Sequence, residues 1–97
     1  MSDPVVIEKE MALTHSDFFR ILPSALGAES YDVQGQTVTL EDGERRLTID
    51  IGEEGVRQIA LMKIPRMTVR LAFAGYDADA REAALARFWR YFQKGGG

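Results

Sequence analysis

The sequence contains no cysteine and only one histidine, His15, among its 97 residues. The absence of cysteine excludes disulfides, iron–sulfur clusters, thiolate zinc sites and cysteine nucleophiles. A single histidine leaves too few soft ligands for a typical transition-metal site. The sequence therefore predicts neither a metal site nor a bound cofactor.

Long apolar runs are missing as well. No run approaches the roughly 20 residues that a membrane-spanning helix needs. The first ten residues, MSDPVVIEKE, carry acids where a secretory signal peptide has a basic region followed by an apolar one. We therefore expect a cytoplasmic protein that has no membrane partner.

Recognisable catalytic motifs are the third absence. The chain has no glycine-rich phosphate-binding motif, no G-x-S-x-G and no H-E-x-x-H. His15 and the serine that follows it are neighbours at a predicted helix start, where their side chains point in different directions and cannot form an activating hydrogen bond. The acidic pairs Glu53-Glu54 and Asp77-x-Asp79 are explained by a loop tip and a helix start. We expect a protein that is not an enzyme.

Charge is present but unevenly distributed. The net charge is −3, yet residues 1–44 carry two basic and nine acidic groups, whereas residues 45–97 carry ten basic and six acidic groups. Such polarity is typical of two halves that attract each other, and the alternative is a basic surface that binds a partner. The length and a hydrophobic content of 45% indicate one small domain with shallow sites.

Two different periods predict the first strand and the first helix. Residues 5–13 alternate apolar and polar side chains, which is typical of a half-buried strand. Thr14 and Asp17 then have the spacing of a helix capping box. Pro23 lies inside the helical pattern, so we expect the helix to kink there or to end near residue 21. The apolar stripe of this helix comprises Phe18, Leu22 and Leu26.

The last helix, predicted over residues 77–94, holds the largest apolar surface of the chain. Asp79 is the predicted N-cap, with Glu82 reaching back from three residues further on. Arginine and lysine side chains fall on the opposite side of this helix from its apolar stripe. The stripe comprises Ala84, Leu85, Phe88, Trp89 and Phe92. We expect it to pack with the stripe of the first helix over a sheet.

Residues 30–74 have a period of two, which predicts an antiparallel meander. Within it the dipeptide Asp42-Gly43 favours a tight hairpin, because both central residues of a type I′ turn need a positive φ. A turn at that dipeptide pairs Val38 with Leu47 on the buried face.

A second hairpin tip is predicted at Pro65-Arg66. A two-residue connection there pairs Met62 with Val69 and makes residues 56–64 a central strand. A Pro-Arg tip lacks the glycine or asparagine that a primed turn favours, so a longer or irregular loop with a slipped pairing is the alternative. The face of that strand directed away from the helices then carries both apolar and basic side chains.

These elements predict an α+β fold in the order β-α-β-β-β-β-α. The expected architecture is a curved antiparallel sheet of five strands, or six if residues 30–33 form a short strand, with both helices packed on one face. The element order resembles the βαβ4α arrangement of TATA-binding-protein-like folds, and the resemblance concerns that order alone. Residues 1–94 form the predicted single domain, and residues 95–97 a flexible glycine tail.

The open face of the sheet is the leading candidate for function. Its mixture of apolar and basic side chains is typical of protein interfaces. The predicted function is a small non-enzymatic binding or adaptor domain, whose partner is another protein or a second copy in a homodimer. The candidate partner-binding residues are Arg46, Arg57, Ile59, Leu61, Lys63 and Arg70.

Two alternative functions stay open. Gly95, Gly96 and Gly97 resemble the Gly-Gly end of ubiquitin-like carriers and modifiers, which implies a carrier that is activated at its C-terminus. The second alternative is a weak nucleic-acid binder using the basic side chains. We do not expect nucleic acid as the main partner, because the aromatic side chains of the last helix belong to its buried stripe and are not placed to stack on bases.

Overall fold

Within residues 4–27 and 30–96, which the computed structural model describes, the chain forms six strands and two helices. The order β-α-β-β-β-β-β-α confirms the predicted α+β class and includes the additional short strand. The elements are β1 (Val5–Met11), α1 (His15–Leu26), β2 (Asp32–Gln34), β3 (Thr37–Asp42), β4 (Arg45–Ile51), β5 (Gly55–Ile59), β6 (Met62–Ala74) and α2 (Ala78–Gly96).

The long strand β6 is the centre of the antiparallel sheet. Its C-terminal half pairs with β1 on one side and with β4 on the other, and β3 and β2 extend the sheet beyond β4. Its N-terminal part pairs with β5. The prediction that residues 56–64 form a central strand is therefore wrong, because the chain reverses at residues 60–61 and β6 takes the central position.

One face of this sheet, together with the two helices, forms the core. Alternate residues of β6 from Met67 to Phe73 are buried. The strand register places Ile7 of β1 and Ile49 of β4 on either side of Leu71, and Val38 of β3 beyond Ile49. Residues of the same alternating set pack against both helices in one cluster. The opposite face of the sheet carries neither helix.

The helices pack on each other through stacked phenylalanines. The rings of Phe18 in α1 and Phe92 in α2 are 5.1 Å apart and nearly parallel. Phe88 contacts Phe92 with ring centroids 4.5 Å apart, and all three side chains are buried. The predicted packing of the two apolar stripes is present. Lys9, on the edge strand β1, lies with its ammonium 4.7 Å from the centroid of the Trp89 ring, a cation–π contact.

Helix α1 begins as predicted but does not end early. The Thr14 hydroxyl accepts a hydrogen bond from the Asp17 N–H at 3.1 Å, and Gly27 closes the helix with a φ of 67°. The helix continues through Pro23 to Leu26, so the alternative in which it ends near residue 21 is wrong. The other alternative, a kink at Pro23, stays a prediction. Buried side chains on both sides of the proline pack into the same core, which offsets the lost hydrogen bond.

Helix α2 is capped by a different acid from the predicted one. The Asp77 carboxylate accepts a hydrogen bond from the Ala80 N–H at 2.7 Å, which is the contact of an N-cap residue. Asp79, the predicted cap, lies inside the first turn. Both acids are close to the positive end of the helix dipole, so the sequence pattern is compatible with either acid as the N-cap. The hydrogen bond from the Ala80 N–H identifies Asp77 as the N-cap.

The hairpin between β3 and β4 turns one residue later than predicted. Asp42 pairs with Arg45, so the turn consists of Gly43 and Glu44, and Leu40 pairs with Leu47. Gly43 has a φ of 63°, the conformation that a glycine adopts without strain at the first turn position. The register differs from the predicted one by two residues, which keeps every side chain on its expected face.

Candidate functional site

Residues 55–66 form a two-stranded hairpin arm, composed of β5 and the N-terminal part of β6. Gly55 pairs with Arg66 and Ile59 with Met62, which leaves residues 60–61 as a two-residue turn. Every residue from 56 to 63 is exposed, and the molecule is elongated, with extents of 48 × 25 × 24 Å. The hairpin arm therefore projects from the sheet instead of covering the core.

A β-bulge joins the hairpin arm to the rest of the sheet. Residues 52–54 lie opposite only two residues of β6, and the Gly52 N–H donates to the Thr68 carbonyl oxygen at 2.7 Å. The His15 side chain holds the bulge from the helix layer, since its Nε2 lies 2.6 Å from the Gly52 carbonyl oxygen. The His15 backbone N–H also donates to the Glu54 carboxylate. The base of the hairpin arm is thus fixed to the start of α1.

The bulge contact defines which edge each backbone group of β6 faces. Because the Thr68 carbonyl points toward the β4–β5 side, alternation directs the backbone groups of Lys63 and Pro65 to the opposite edge. Strand β1 has already ended there, opposite Met67. A proline at such an edge position removes no hydrogen bond from the sheet. The prediction of a hairpin tip at Pro65 is therefore wrong.

Four large apolar side chains of the hairpin arm are exposed to solvent. Leu61, in the turn, is 98% exposed, and the exposures of Met62, Val56 and Ile59 are 65%, 64% and 50%. Ile59 and Met62 are opposite each other, so they lie on the same face of the hairpin. Ile59, Leu61 and Met62 lie together at the end of the hairpin arm, and Val56 lies nearer its base on the other face. Exposed apolar side chains on a projecting element are typical of an interaction surface.

Positive charge accompanies the apolar apex. Residues 55–66 contain Arg57, Lys63 and Arg66 and no acid, whereas residues 1–54 carry four basic and twelve acidic groups. Arg66 lies at the base, where its Nη1 is 3.9 Å from the Glu10 carboxylate. The hairpin arm thus presents an apolar tip with cations behind it, on a molecule whose net charge is negative.

The structure divides the predicted binding residues between two places. Arg57, Ile59, Leu61 and Lys63 are on the hairpin arm. Alternation places Lys63 on the face opposite to that of Arg57, because Lys63 pairs with Gln58 and Arg57 with the next residue of β6. The turn at residues 60–61 is responsible for this difference from the predicted face.

The other two predicted binding residues lie on the body of the sheet. Arg70 is opposite Glu8 on one side and Asp50 on the other, in a row of alternating charge. Arg46 forms an ion pair with Glu41 at 2.8 Å. Arg70 is eight residues along β6 from Met62 at the apex, which is about 26 Å at roughly 3.3 Å per residue. Arg46 and Arg70 therefore do not join the apolar cluster of the hairpin arm.

Sequence reasoning missed Met62 and Val56 as exposed apolar residues of the hairpin arm. The signal for Met62 is the continuous nonpolar run Ile59-Ala60-Leu61-Met62, from which Val56 is separated by Arg57 and Gln58. The sequence pattern predicts a half-covered central strand for this run. Its exposure becomes evident only when the turn is located.

The open face of the sheet body has a different character. Between β2, β3 and β4 it forms a shallow hollow of about 870 Å³, lined by polar side chains that include Asp32, Thr39 and Thr48. The two faces of this sheet therefore differ sharply, with an apolar side covered by helices and a polar side in water. The exposed apolar surface of the hairpin arm is distinct from both.

The predicted glycine tail lies only partly within the described residues. The backbone of Gly95 and Gly96 belongs to the last turn of α2, and Gly97 lies outside the described residues. Neither the predicted flexibility of this segment nor a carrier role is tested by that geometry, and both stay predictions.

The turn of the hairpin arm has an alanine where the two other tight hairpins have a glycine. Gly35 and Gly43 occupy the first turn position with φ of 61° and 63°, and Ala60 occupies it with φ of 54°. A left-handed conformation costs about 1–2 kcal/mol for a residue with a β-carbon. The apex of the hairpin arm is therefore locally strained.

Ala60→Gly is expected to stabilise the hairpin arm by about 0.5–1 kcal/mol, because relief of the strained φ exceeds the added unfolded-state entropy of glycine. Amide hydrogen exchange in β5 should become slower. The reverse change in another hairpin, Gly43→Ala, is the control and should accelerate exchange in β3. Faster exchange in Ala60→Gly would contradict the assigned turn.

No family model, curated protein or solved structure matches this chain. Among residues 4–27 and 30–96, no three histidine, aspartate or glutamate side chains lie together as a metal site would require. No helix in the same part of the chain is long and apolar enough to cross a membrane. The hairpin arm is the candidate site on its own geometry.

Proposed function

We propose that this protein is a small non-enzymatic binding domain that takes a protein partner through the hairpin arm. The observation that supports the proposal is the exposure of Val56, Ile59, Leu61 and Met62 on one projecting hairpin. Burying four such side chains would contribute on the order of 5 kcal/mol. Part of that gain is offset by the freedom lost on association, which leaves a reversible interaction.

The composition of the hairpin arm favours a protein over a nucleic acid as the partner. Residues 55–66 contain no aromatic side chain on which a base could stack. Exposed aliphatic side chains beside arginine are typical of protein interfaces, in which the apolar groups provide affinity and the charges provide orientation. The partner is either another protein or a second copy of this chain.

Replacing Ile59 and Leu61 together by threonine should leave the fold intact and weaken association by about tenfold to a hundredfold. Threonine keeps the preference for extended backbone and removes most of the apolar area. Quantitative mass spectrometry of proteins retained from cell extract by the wild type and the variant measures the effect on a different partner. Light scattering over a concentration series measures the effect on a second copy.

A matched control removes the same kind of surface from the sheet body. Val6 and Val33 are 45% and 44% exposed, so Val6→Thr with Val33→Thr deletes exposed apolar area far from the apex. The control should associate like the wild type. Loss of association in the control, or its retention in the Ile59→Thr/Leu61→Thr variant, would overturn the proposal.

A further inference from the structure

The outer edge of β5 presents backbone groups that no strand of the described residues pairs with. The pairs Gly55–Arg66, Arg57–Ile64 and Ile59–Met62 exchange their backbone hydrogen bonds inside the hairpin, because the even-numbered residues of β6 face β5. The N–H and C=O groups of Val56 and Gln58 therefore point outward. In the sheet order, β5 pairs with β6 alone among the described strands.

The other sheet edges in the described residues carry features that oppose pairing. The β6 edge of the hairpin arm contains Pro65, which lacks a donor. The outer strand β1 has three successive charged residues, Glu8, Lys9 and Glu10, and the outer strand β2 is only three residues long. Charge, proline and short length are the usual devices that protect an edge from an added strand. The β5 edge has one charge, Arg57, and two apolar residues, Val56 and Ile59.

Charge decides between a second copy and a different partner at this edge. Two hairpin arms brought together would contribute six cations and no acid. An antiparallel pairing of two β5 strands centred on Arg57 would also place the Arg57 side chains of the two copies opposite each other. Like charges directly opposite each other destabilise a strand pair. An acidic side chain of a different partner instead meets Arg57 favourably.

From this edge and its charge we infer that the hairpin arm binds an extended acidic segment of a partner protein, which adds as a strand to the outer edge of β5. The inference rests on the proposed function and specifies the chemistry of its partner. Backbone hydrogen bonds to Val56 and Gln58 supply affinity, as in other cases of strand addition. An acid of the segment lies beside Arg57, and apolar residues of the segment lie beside Ile59 and Val56.

Selection from a library of random displayed octapeptides on the intact protein tests the chemistry of the segment without assuming a sequence. We expect the enriched peptides to contain an aspartate or glutamate with a valine or isoleucine next to it on one side, to meet Val56, and another two residues away on the other side, to meet Ile59. In the complex with an enriched peptide, amide hydrogen exchange at Val56 and Gln58 should slow at least about tenfold, whereas exchange at Lys63, on the other edge, should not change.

Two charge variants separate the contact at the hairpin arm from a general effect of net charge. Arg57→Gln should weaken the binding of the enriched peptide about tenfold, because one charge-assisted contact is lost. Arg90→Gln removes the same charge from an exposed position on α2 and should change affinity less than twofold. Gln58→Pro removes an outward N–H and no charge, and it should weaken the binding of the peptide as well. Exchange in the wild-type complex reports on the edge even if this last variant fails to fold.

The outcomes distinguish this inference from the proposed function. Enriched peptides that lack acids, or that bind without protecting Val56 and Gln58, overturn the inference. If their binding is still lost in Ile59→Thr/Leu61→Thr, the proposed function survives. The absence of any peptide that depends on the hairpin arm counts against both. Binding to phosphatidylserine vesicles or to single-stranded RNA, with no acidic peptide enriched, overturns the inference in favour of those partners.

Discussion

Replacing Phe88 by alanine is expected to lower the free energy of unfolding by about 3–5 kcal/mol. The Phe88 side chain is 2% exposed, and its ring centroid lies 4.9 Å from that of Trp89 and 4.5 Å from that of Phe92. Its removal leaves a cavity between the two helices and the sheet. A domain of this size has about 5–15 kcal/mol of stability in total, so the change is a large share. Urea denaturation followed by circular dichroism measures it.

Tyr91 on the same helix provides the control for Phe88. Its side chain is only partly buried and contacts the Arg87 guanidinium, 5.1 Å from the ring centroid. Tyr91→Ala should cost about 1 kcal/mol, as is usual for substitutions outside a close-packed core. If Phe88→Ala lowers the free energy of unfolding by less than about 1 kcal/mol, α2 does not pack through the face that carries Phe88.

Gly75→Ala is expected to destabilise the protein by about 2–4 kcal/mol. Gly75 follows β6 with a φ of 77°, and an added β-carbon would lie 2.1 Å from the Glu44 carbonyl oxygen. The backbone of the β3–β4 turn would have to move, because no flexible side chain is available to yield. Thermal unfolding measures the change.

Gly35→Ala separates backbone strain from the steric clash. Gly35 has a φ of 61°, similar to that of Gly75, but an added β-carbon meets nothing within 4 Å. Gly35→Ala should lower the free energy of unfolding only by the strain of the left-handed conformation, about 1–2 kcal/mol. Equal losses in the two variants would contradict the close approach of Gly75 to the β3–β4 turn.

Periodicity and capping were sufficient to predict most of the fold. One face of each element is buried in the core, and this produces the period of two in β1 and the apolar stripes of both helices. Both patterns are visible within a short stretch of sequence. Thr14 and Asp17 predicted the start of α1 because their hydrogen bond needs only neighbouring residues. These features are independent of long-range pairing, so a single sequence contains enough information to identify them.

The hairpin arm was predicted incorrectly because its turn lacks the usual residues. Ala60-Leu61 carries no turn signal, whereas Pro65-Arg66 offered a proline in the expected region. Proline is accepted inside β6 because its missing donor faces an edge beyond the end of β1. Where β1 ends relative to β6 is a long-range property, and the sequence pattern does not contain it.

The candidate site was predicted in part, for a related reason. The sequence predicts Ile59 and Leu61 as apolar residues of an open face, and the structure places both on the hairpin arm, where they are exposed. Alternation predicts Arg46 and Arg70 on the same face as these residues. Two side chains on one face can still be far apart along the strands, and alternation does not contain that distance. Only the position of the turn separates the hairpin arm from the sheet body.

The central claim is that the hairpin arm is the surface that contacts a partner. Methyl spectra of the labelled protein test it directly, when a partner retained from extract is purified and titrated in. We predict that the methyl signals of Val56, Ile59 and Leu61 shift or broaden, while those of Val6 and Val33 on the sheet body stay unchanged. Shifts confined to Val6 and Val33, with the signals of the hairpin arm unaffected, would contradict the claim.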